Sequence, residues 1–343
     1  MDLIEAERTV ADAVREARRV DPVGSGTHRE VGGPPPRDAV AISAPAGIVS
    51  YEPADLTVCA GAGTTVDALD AVLAEAGQES ALDPRDPNAT IGGTLAVGLS
   101  GIRRLRVGPL RDQVLEVRFA TADGRLVRGG GPTVKNVTGY DLPRLLVGSF
   151  GTLGVITRVI LRCRPRPECR AWYASDADPA AVRAGTFRPS TILWDGSTTS
   201  VLLEGNPDDV EAEARRGGLE PSEAPALPDG EHRGRASLPP NELGGFATGL
   251  TASGGVRWSA EIGIGTVHLA ADDPLALASA RDDAARAGGW MLREAGAPDL
   301  DGFGVELPNA ALMASVHEAF DPGGKLAPGR LPLPEPLEEG DGS

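Results

Sequence analysis

Apolar residues recur at helical spacing at the start of the chain, with Val10, Val14 and Ala17 on one stripe, so residues 2–19 are expected to form an amphipathic helix. A polar, glycine-rich turn follows, Gly24-Ser25-Gly26-Thr27-His28, and residues 39–42 and 56–60 read as short strands. Thr64 or Thr65 is placed to cap a helix whose apolar face is Val66, Leu69, Val72 and Leu73 and which Gly77 stops. From 83 to 100 the period is lost and glycine accumulates, which reads as a loop. Residues 114–120 alternate as a strand, Asp123-Gly124 turns, and Leu126-Val127 returns. Residues 142–147 are helical in pattern. Residues 153–161 are apolar and β-branched enough for a buried strand, closed by Arg164-Pro165-Arg166-Pro167.

The pattern changes after that pair of prolines. Residues 207–240 are acidic and rich in proline and glycine, so a long exposed loop is expected there. Residues 258–269 read as one strand, and residues 274–288 as an alanine-rich helix. The proline-rich acidic stretch 332–343 is expected to be a mobile tail. No internal repeat is visible.

Composition narrows the classes. A chain of 343 residues suits two domains, and its 41% hydrophobic content can fill real cores. No run of about eighteen apolar residues exists to span a bilayer, and the first residues lack the basic and apolar regions of a secretion signal. Three cysteines, Cys59, Cys163 and Cys169, point to a reducing cytoplasm rather than a disulfide framework. They are also too few for the four thiolates of an iron–sulfur cluster. A formal charge of −16 argues against a nucleic-acid surface.

Four segments carry candidate chemistry. In Gly24-Ser25-Gly26-Thr27, absent Cβ atoms let backbone N–H groups point at phosphate oxygens, although a plain glycine turn has the same composition. The stretch from Asp83-Pro84 to Ala89-Thr90-Ile91-Gly92-Gly93-Thr94-Leu95 ends in paired glycines flanked by hydroxyls. The third runs from Ser100-Gly101 through Arg103, Arg104, Arg106 and Arg111. The fourth joins Lys135-Asn136-Val137-Thr138-Gly139-Tyr140-Asp141 to Gly148-Ser149-Phe150-Gly151-Thr152-Leu153-Gly154-Val155-Ile156-Thr157.

In this order and spacing the segments resemble the FAD-binding oxidoreductases of the vanillyl-alcohol oxidase and p-cresol methylhydroxylase (PCMH) type, and among them the glycolate oxidase FAD-binding subunits most of all. The resemblance is strong from Val23 to Pro167 and returns at Phe320-Asp321-Pro322-Gly323-Gly324-Lys325-Leu326-Ala327-Pro328-Gly329-Arg330. It implies an α+β fold: a two-lobed PCMH-type FAD-binding domain over residues 1–167, split near 50, and a smaller α+β cap over 168–315. Residues 316–331 would then return to the FAD domain ahead of the acidic tail. Carried over, Gly24, Ser25, Gly26, Thr27 and His28 would hold the pyrophosphate. Pro84, Thr90, Gly92, Gly93, Ser100 and Gly101 would line the pyrophosphate, ribityl chain and ring, and Val155 and Ile156 the adenine side. Lys135, Asn136, Gly139 and Tyr140 would buttress the pocket, or simply pack between the lobes.

The departures carry information too. Relatives that attach flavin covalently place histidine where Thr27 stands, so the FAD is expected to be non-covalent. Relatives acting on 2-hydroxy acids often set histidines and an acid around a metal in the cap. Here the nearest approach is Glu261 and His268, which on one extended strand would lie about 23 Å apart on opposite faces. No metal site is therefore expected.

The resemblance implies oxidation of a small 2-hydroxy acid, with electrons passed to a second flavoprotein subunit and an iron–sulfur subunit. Two alternatives stay open. One is a self-sufficient dehydrogenase or oxidase in which Arg103, Arg106 or Arg111 clamps a carboxylate. The other is a non-catalytic flavin relay subunit. No residue is singled out as catalytic.

Overall fold

A computed structural model describes residues 3–132 and 140–333. Helix α1 (Leu3–Glu16) buries Val10, Ala11 and Val14 along one stripe. Strands β1 (Val20–Pro22) and β2 (Val40–Ile42) pair in parallel, and Val10, Val14, Val20 and Ile42 close a small core with Leu326 from the far end of the chain. There Val20 donates to the Lys325 carbonyl and Ala327 donates back to Val20, both at 2.8 Å. The first lobe is thus completed by backbone more than three hundred residues away.

The second lobe begins with the hairpin β3 (Ile48–Glu52) and β4 (Thr57–Gly61). Helix α2 (Val66–Glu75) follows, its N-cap Thr65 accepting from the Ala68 N–H. Then come β5 (Gln78–Glu79), α3 (Ile91–Val97), α4 (Arg104–Val107), β6 (Val114–Ala120), β7 (Leu126–Gly130), α5 (Leu142–Leu146) and β8 (Val155–Arg162). The five longer strands form an antiparallel sheet in the order β3-β4-β8-β6-β7, covered by Leu69, Leu73, Ile91 and Leu95 from α2 and α3. The expected loop over 83–100 is corrected by α3. Thr90 caps it by accepting from the Gly93 N–H at 3.1 Å, but a seven-residue helix opening on two glycines leaves almost no period to read.

After β9 (Arg164–Pro165), which pairs back to β5, the chain builds a second sheet. Its elements in order are β10 (Cys169–Ser175), α6 (Pro179–Gly185), β11 (Thr191–Trp194), β12 (Thr199–Gly205), α7 (Pro207–Arg216), β13 (Glu220–Ser222), β14 (His232–Ser237), α8 (Leu243–Ser253), β15 (Val256–Glu261), β16 (Thr266–Ala271), α9 (Pro274–Arg286) and β17 (Trp290–Ala295). The strands run β13-β10-β12-β11-β15-β16-β14-β17. Helix α10 (Ala310–Phe320) follows the sheet. Two expectations fail here. The exposed loop over 207–240 is replaced by α7, β13 and β14. The acidic Asn206-Pro207-Asp208-Asp209 start is a helix cap and first turn, and Val210 and Ala214 are buried behind it. The single strand over 258–269 is a hairpin, because Gly263 and Gly265, both at positive φ (88° and 87°), turn the chain between β15 and β16.

A buried ion network ties the two sheets together. Arg103 donates to Asp83 and to Glu79 in the first domain and to Glu204 on β12, while Arg170 on β10 reaches both Glu79 and Glu204. Ser190 donates to the remaining Glu204 oxygen at 2.5 Å. The cap is therefore fixed on the first domain by charges that cannot be separated without leaving one of them buried and unpaired. Among the described residues no helix is long and apolar enough to cross a membrane.

Candidate functional site

A cleft runs between the two lobes and beneath the cap, in three adjoining stretches. The first is lined by Pro22 to Arg29, Thr90, Gly93, Ala96, Val97, Phe150, Gly151 and Arg330. The second shares Gly24, Thr90, Gly93 and Ala96 with it and continues past Ala62, Gly63, Gly92, Gly154, Val155 and Ile156. The third shares Val97 and Phe150 with the first and widens into a cavity of about 310 Å³ beneath the cap, bounded by Gly98, Leu99, Ser100 and Arg104 below and cap strands above.

The loop after β1 is built to present its backbone. Val23 donates to Ile42 and Arg29 to Gly26, but among the described residues the amides of Gly24, Ser25, Gly26, Thr27 and His28 have no protein partner. Five consecutive unpaired N–H groups in a glycine turn form a concavity for an anion. Gly24 admits no side chain, because a Cβ there would stand 2.1 Å from Thr90 Oγ1. Gly92 is required by packing rather than by ligand space. Its amide donates to Ala62 at 2.7 Å and a Cβ would press on Ala62 at 3.1 Å.

The loop is held from behind by Arg330. Its guanidinium donates to the carbonyls of Arg29, Gly33 and Val31 at 2.7, 2.7 and 2.9 Å and reaches that of His28 at 3.4 Å. It also lies 5.9 Å above the Phe150 ring. The guanidinium is thus spent on backbone carbonyls rather than on a carboxylate. Thr27 Oγ1 is 3.1 Å from His28 Nδ1. Burial pulls the His28 pKa down, opposed by the nearby Glu294 carboxylate.

The sequence candidates therefore distribute unevenly. Gly24, Ser25, Gly26, Thr27, His28, Thr90 and Gly93 meet in the first stretch, Gly92, Val155 and Ile156 in the second, and Ser100 at the cavity. Pro84 and Gly101 lie outside all three linings; Gly101 packs against Asp83, where a Cβ would come within 2.4 Å of the carbonyl. Lys135, Asn136 and Gly139 fall outside the described residues, and Tyr140 is 90% exposed rather than packed. The arginines considered as carboxylate clamps are not at the cavity. Arg103 is locked in the ion network, Arg106 donates to the Arg188 carbonyl, and Arg111 sits in a short 3₁₀ turn. Arg104 and Arg235 line the cavity instead.

The cap contributes one polar sheet face. Arg235 on β14 and Ser259 on β15 both lie directly opposite His268 on β16, and Ser237 and Glu261 both lie opposite Thr266. Strand alternation sends these side chains toward the cleft and Ala236, Trp258, Ala260, Val267 and Leu269 into the apolar core on the other side. Arg235 is fixed by Glu294 at 2.8 Å and by the Ser100 carbonyl at 2.9 Å. Glu294 is buried, which alone would raise its pKa, yet the charges of Arg235, His268 and Arg85 hold it below the usual carboxylate range. The expected 23 Å separation of Glu261 and His268 is wrong. The hairpin brings His268 Nε2 to 2.9 Å from Glu261 Oε1, with the side chains 1% and 3% exposed. Two runs of alternation flanking Gly263 and Gly265 were the signal that could have revealed it.

Comparison with known proteins adds to this geometry. Residues 3–130 match the family described as FAD binding domain. Glycolate oxidase subunit GlcE of Escherichia coli (strain K12) is 41% identical over 146 residues, 42% of this chain and 42% of that protein. D-lactate dehydrogenase of Archaeoglobus fulgidus is 37% identical over 145 residues, 42% of this chain and 32% of that protein. Mitochondrial D-2-hydroxyglutarate dehydrogenase of Bos taurus is 35% identical over 151 residues, 43% of this chain and 28% of that protein. The chain thus matches less than half the length of these relatives. A solved alkyldihydroxyacetonephosphate synthase superposes with a TM-score of 0.64 over 95% of this chain and 74% of that one, at 15% identity, a likeness of fold.

Proposed function

We propose that this chain, whose residues 3–130 match an FAD binding domain, is an FAD-dependent oxidoreductase of the PCMH type that oxidises a small 2-hydroxy acid and passes the electrons to a partner. The cleft fits the cofactor. The unpaired amides of Gly24 to His28 suit a pyrophosphate, the small-residue stretch at Gly92, Val155 and Ile156 suits the adenosine end, and the cavity beneath the cap suits the ring. FAD supplies two-electron chemistry there; the protein supplies position and charge. With Thr27 preceding His28, the flavin is held without a covalent bond.

The observation that carries the substrate reading is the polar cap face. Arg235, held rigid by Glu294 and the Ser100 carbonyl, is a fixed cation at the cavity wall, and Arg104 offers a second guanidinium below. A carboxylate-bearing substrate fits such a wall. The relatives, a glycolate oxidase subunit and dehydrogenases of D-lactate and D-2-hydroxyglutarate, support the same class. Membership of a complex with a second flavoprotein subunit and an iron–sulfur subunit is part of this proposal, supported by the GlcE likeness.

The test is anaerobic mixing of the FAD-loaded chain with D- and L-2-hydroxy acids, alone and co-purified with co-expressed neighbouring subunits. Bleaching of the flavin by one enantiomer series is expected. A flavin that no hydroxy acid bleaches in either preparation contradicts the reading.

A further inference from the structure

We infer that Glu261 is a catalytic residue, the acceptor of the substrate hydroxyl proton, and that His268 is the positioning residue that holds its carboxylate toward the cavity. This rests on the oxidoreductase reading above. Glu261 lines the cavity beneath the cap, and its Oε1 accepts from His268 Nε2 at 2.9 Å. Both residues are almost wholly buried. Fold stability does not call for the pair, since the hairpin is already closed by the ladder from Val256–Ala271 to Glu261–Thr266. Burying a carboxylate and an imidazole is costly, and His268 Nδ1 is left buried with no hydrogen-bond partner. The pair thus reaches the cavity wall through Glu261, with His268 buried beside it.

The neighbouring groups suit the role. Arg235 stands opposite His268 on the adjacent strand, so the cation that would hold a substrate carboxylate and the carboxylate that would take its hydroxyl proton share one sheet face. In the step, the hydroxyl O–H bond breaks and its proton forms an O–H bond on Glu261. Bound FAD would supply the two-electron oxidation, receiving the Cα hydrogen with its electron pair as the Cα–H bond breaks, and the C–O bond would become the carbonyl of a 2-oxo acid.

The experiment uses the full FAD-loaded chain with its co-expressed partners. Glu261→Gln is expected to slow hydroxy-acid bleaching at least a hundredfold while FAD content and melting temperature hold. Binding of inert oxalate, read from the flavin spectrum, should be as tight as in the parent or tighter, because a negative charge has gone. His268→Gln, whose amide can still donate to Glu261, should lose about tenfold, and His268→Leu more. Glu261→Asp, which keeps the charge but withdraws it by one methylene, is the second variant and should slow bleaching at least tenfold with FAD retained. Parental rates in Glu261→Gln, or equal loss of rate, FAD and oxalate binding in both Glu261 variants, overturn the assignment. A parent that no hydroxy acid bleaches fails at the earlier reading and takes this one with it.

Discussion

The two sides of the cleft are made of different material. On the lobe side, residues 24–28 offer backbone amides, and Gly24 and Gly92 are fixed by how closely Thr90 and Ala62 approach them. On the cap side the inward groups are long ionisable side chains, Arg235, Glu261 and His268, each held by a buried partner from another strand. The first surface binds through what a side chain would obstruct; the second acts through side chains that only a finished sheet brings together. The lobe side should therefore fail by steric intrusion with little change in charge, and the cap side by loss of single charges.

The largest expected effect comes from separating the two sides. Arg103→Ala removes the guanidinium shared by Asp83, Glu79 and Glu204, leaving Asp83 without a cation and Glu79 and Glu204 to share Arg170 alone, which costs about 3 kcal/mol. Urea unfolding should show it, and an unchanged midpoint would mean that the cap is held by apolar contact alone. Next in size is Gly24→Val, which forces a branched side chain onto Thr90. Its affinity for FAD should fall about a hundredfold, near 3 kcal/mol, with the fold intact by circular dichroism; a fully yellow variant would break the contrast on the lobe side.

What was legible beforehand follows the same division. The glycine loop, the Thr90-Ile91-Gly92-Gly93 stretch and Val155-Ile156 are local, and a local constraint leaves its mark in consecutive residues. The strands over 114–120 and 126–127 were legible because one turn, Asp123-Gly124, joins them. The α3 helix was not, since two glycines obscure its period. The stretch from Glu261 to His268 reads as one strand because Ile262-Gly263-Ile264-Gly265 continues the apolar alternation straight through the turn. Arg235 gave no local sign at all: its partners, Glu294 and the Ser100 carbonyl, lie 59 and 135 residues away.

Smaller effects sharpen the comparison. Arg330→Ala deletes charged hydrogen bonds to the carbonyls behind the glycine loop and should cost about 2 kcal/mol of stability, with weaker FAD retention on dilution. Retention equal to the parent would show that the loop keeps its shape unaided. The ion network also makes a pH prediction. Burial alone would raise the Glu204 pKa, but the hydrogen bond from Ser190 and the charges of Arg103 and Arg170 hold it below the usual value of 4.5. A carboxyl depressed in the folded state contributes stability that is complete above its unfolded pKa and is lost as pH falls through the folded one. Denaturant midpoints should therefore hold from neutral pH down to about 5 and decline below it, and Glu204→Gln should flatten that decline. An identical acid limb in the variant would remove Glu204 from the account.

The most direct test is hydrogen exchange of the peptide spanning the Gly24 to His28 loop, with and without FAD. The loop's amides lack protein partners and would face the pyrophosphate, so they should exchange fast in the apoprotein and become strongly protected when FAD binds. Protection confined to cap strands, with the loop exchanging equally fast in both states, would contradict the claim that this backbone holds the cofactor.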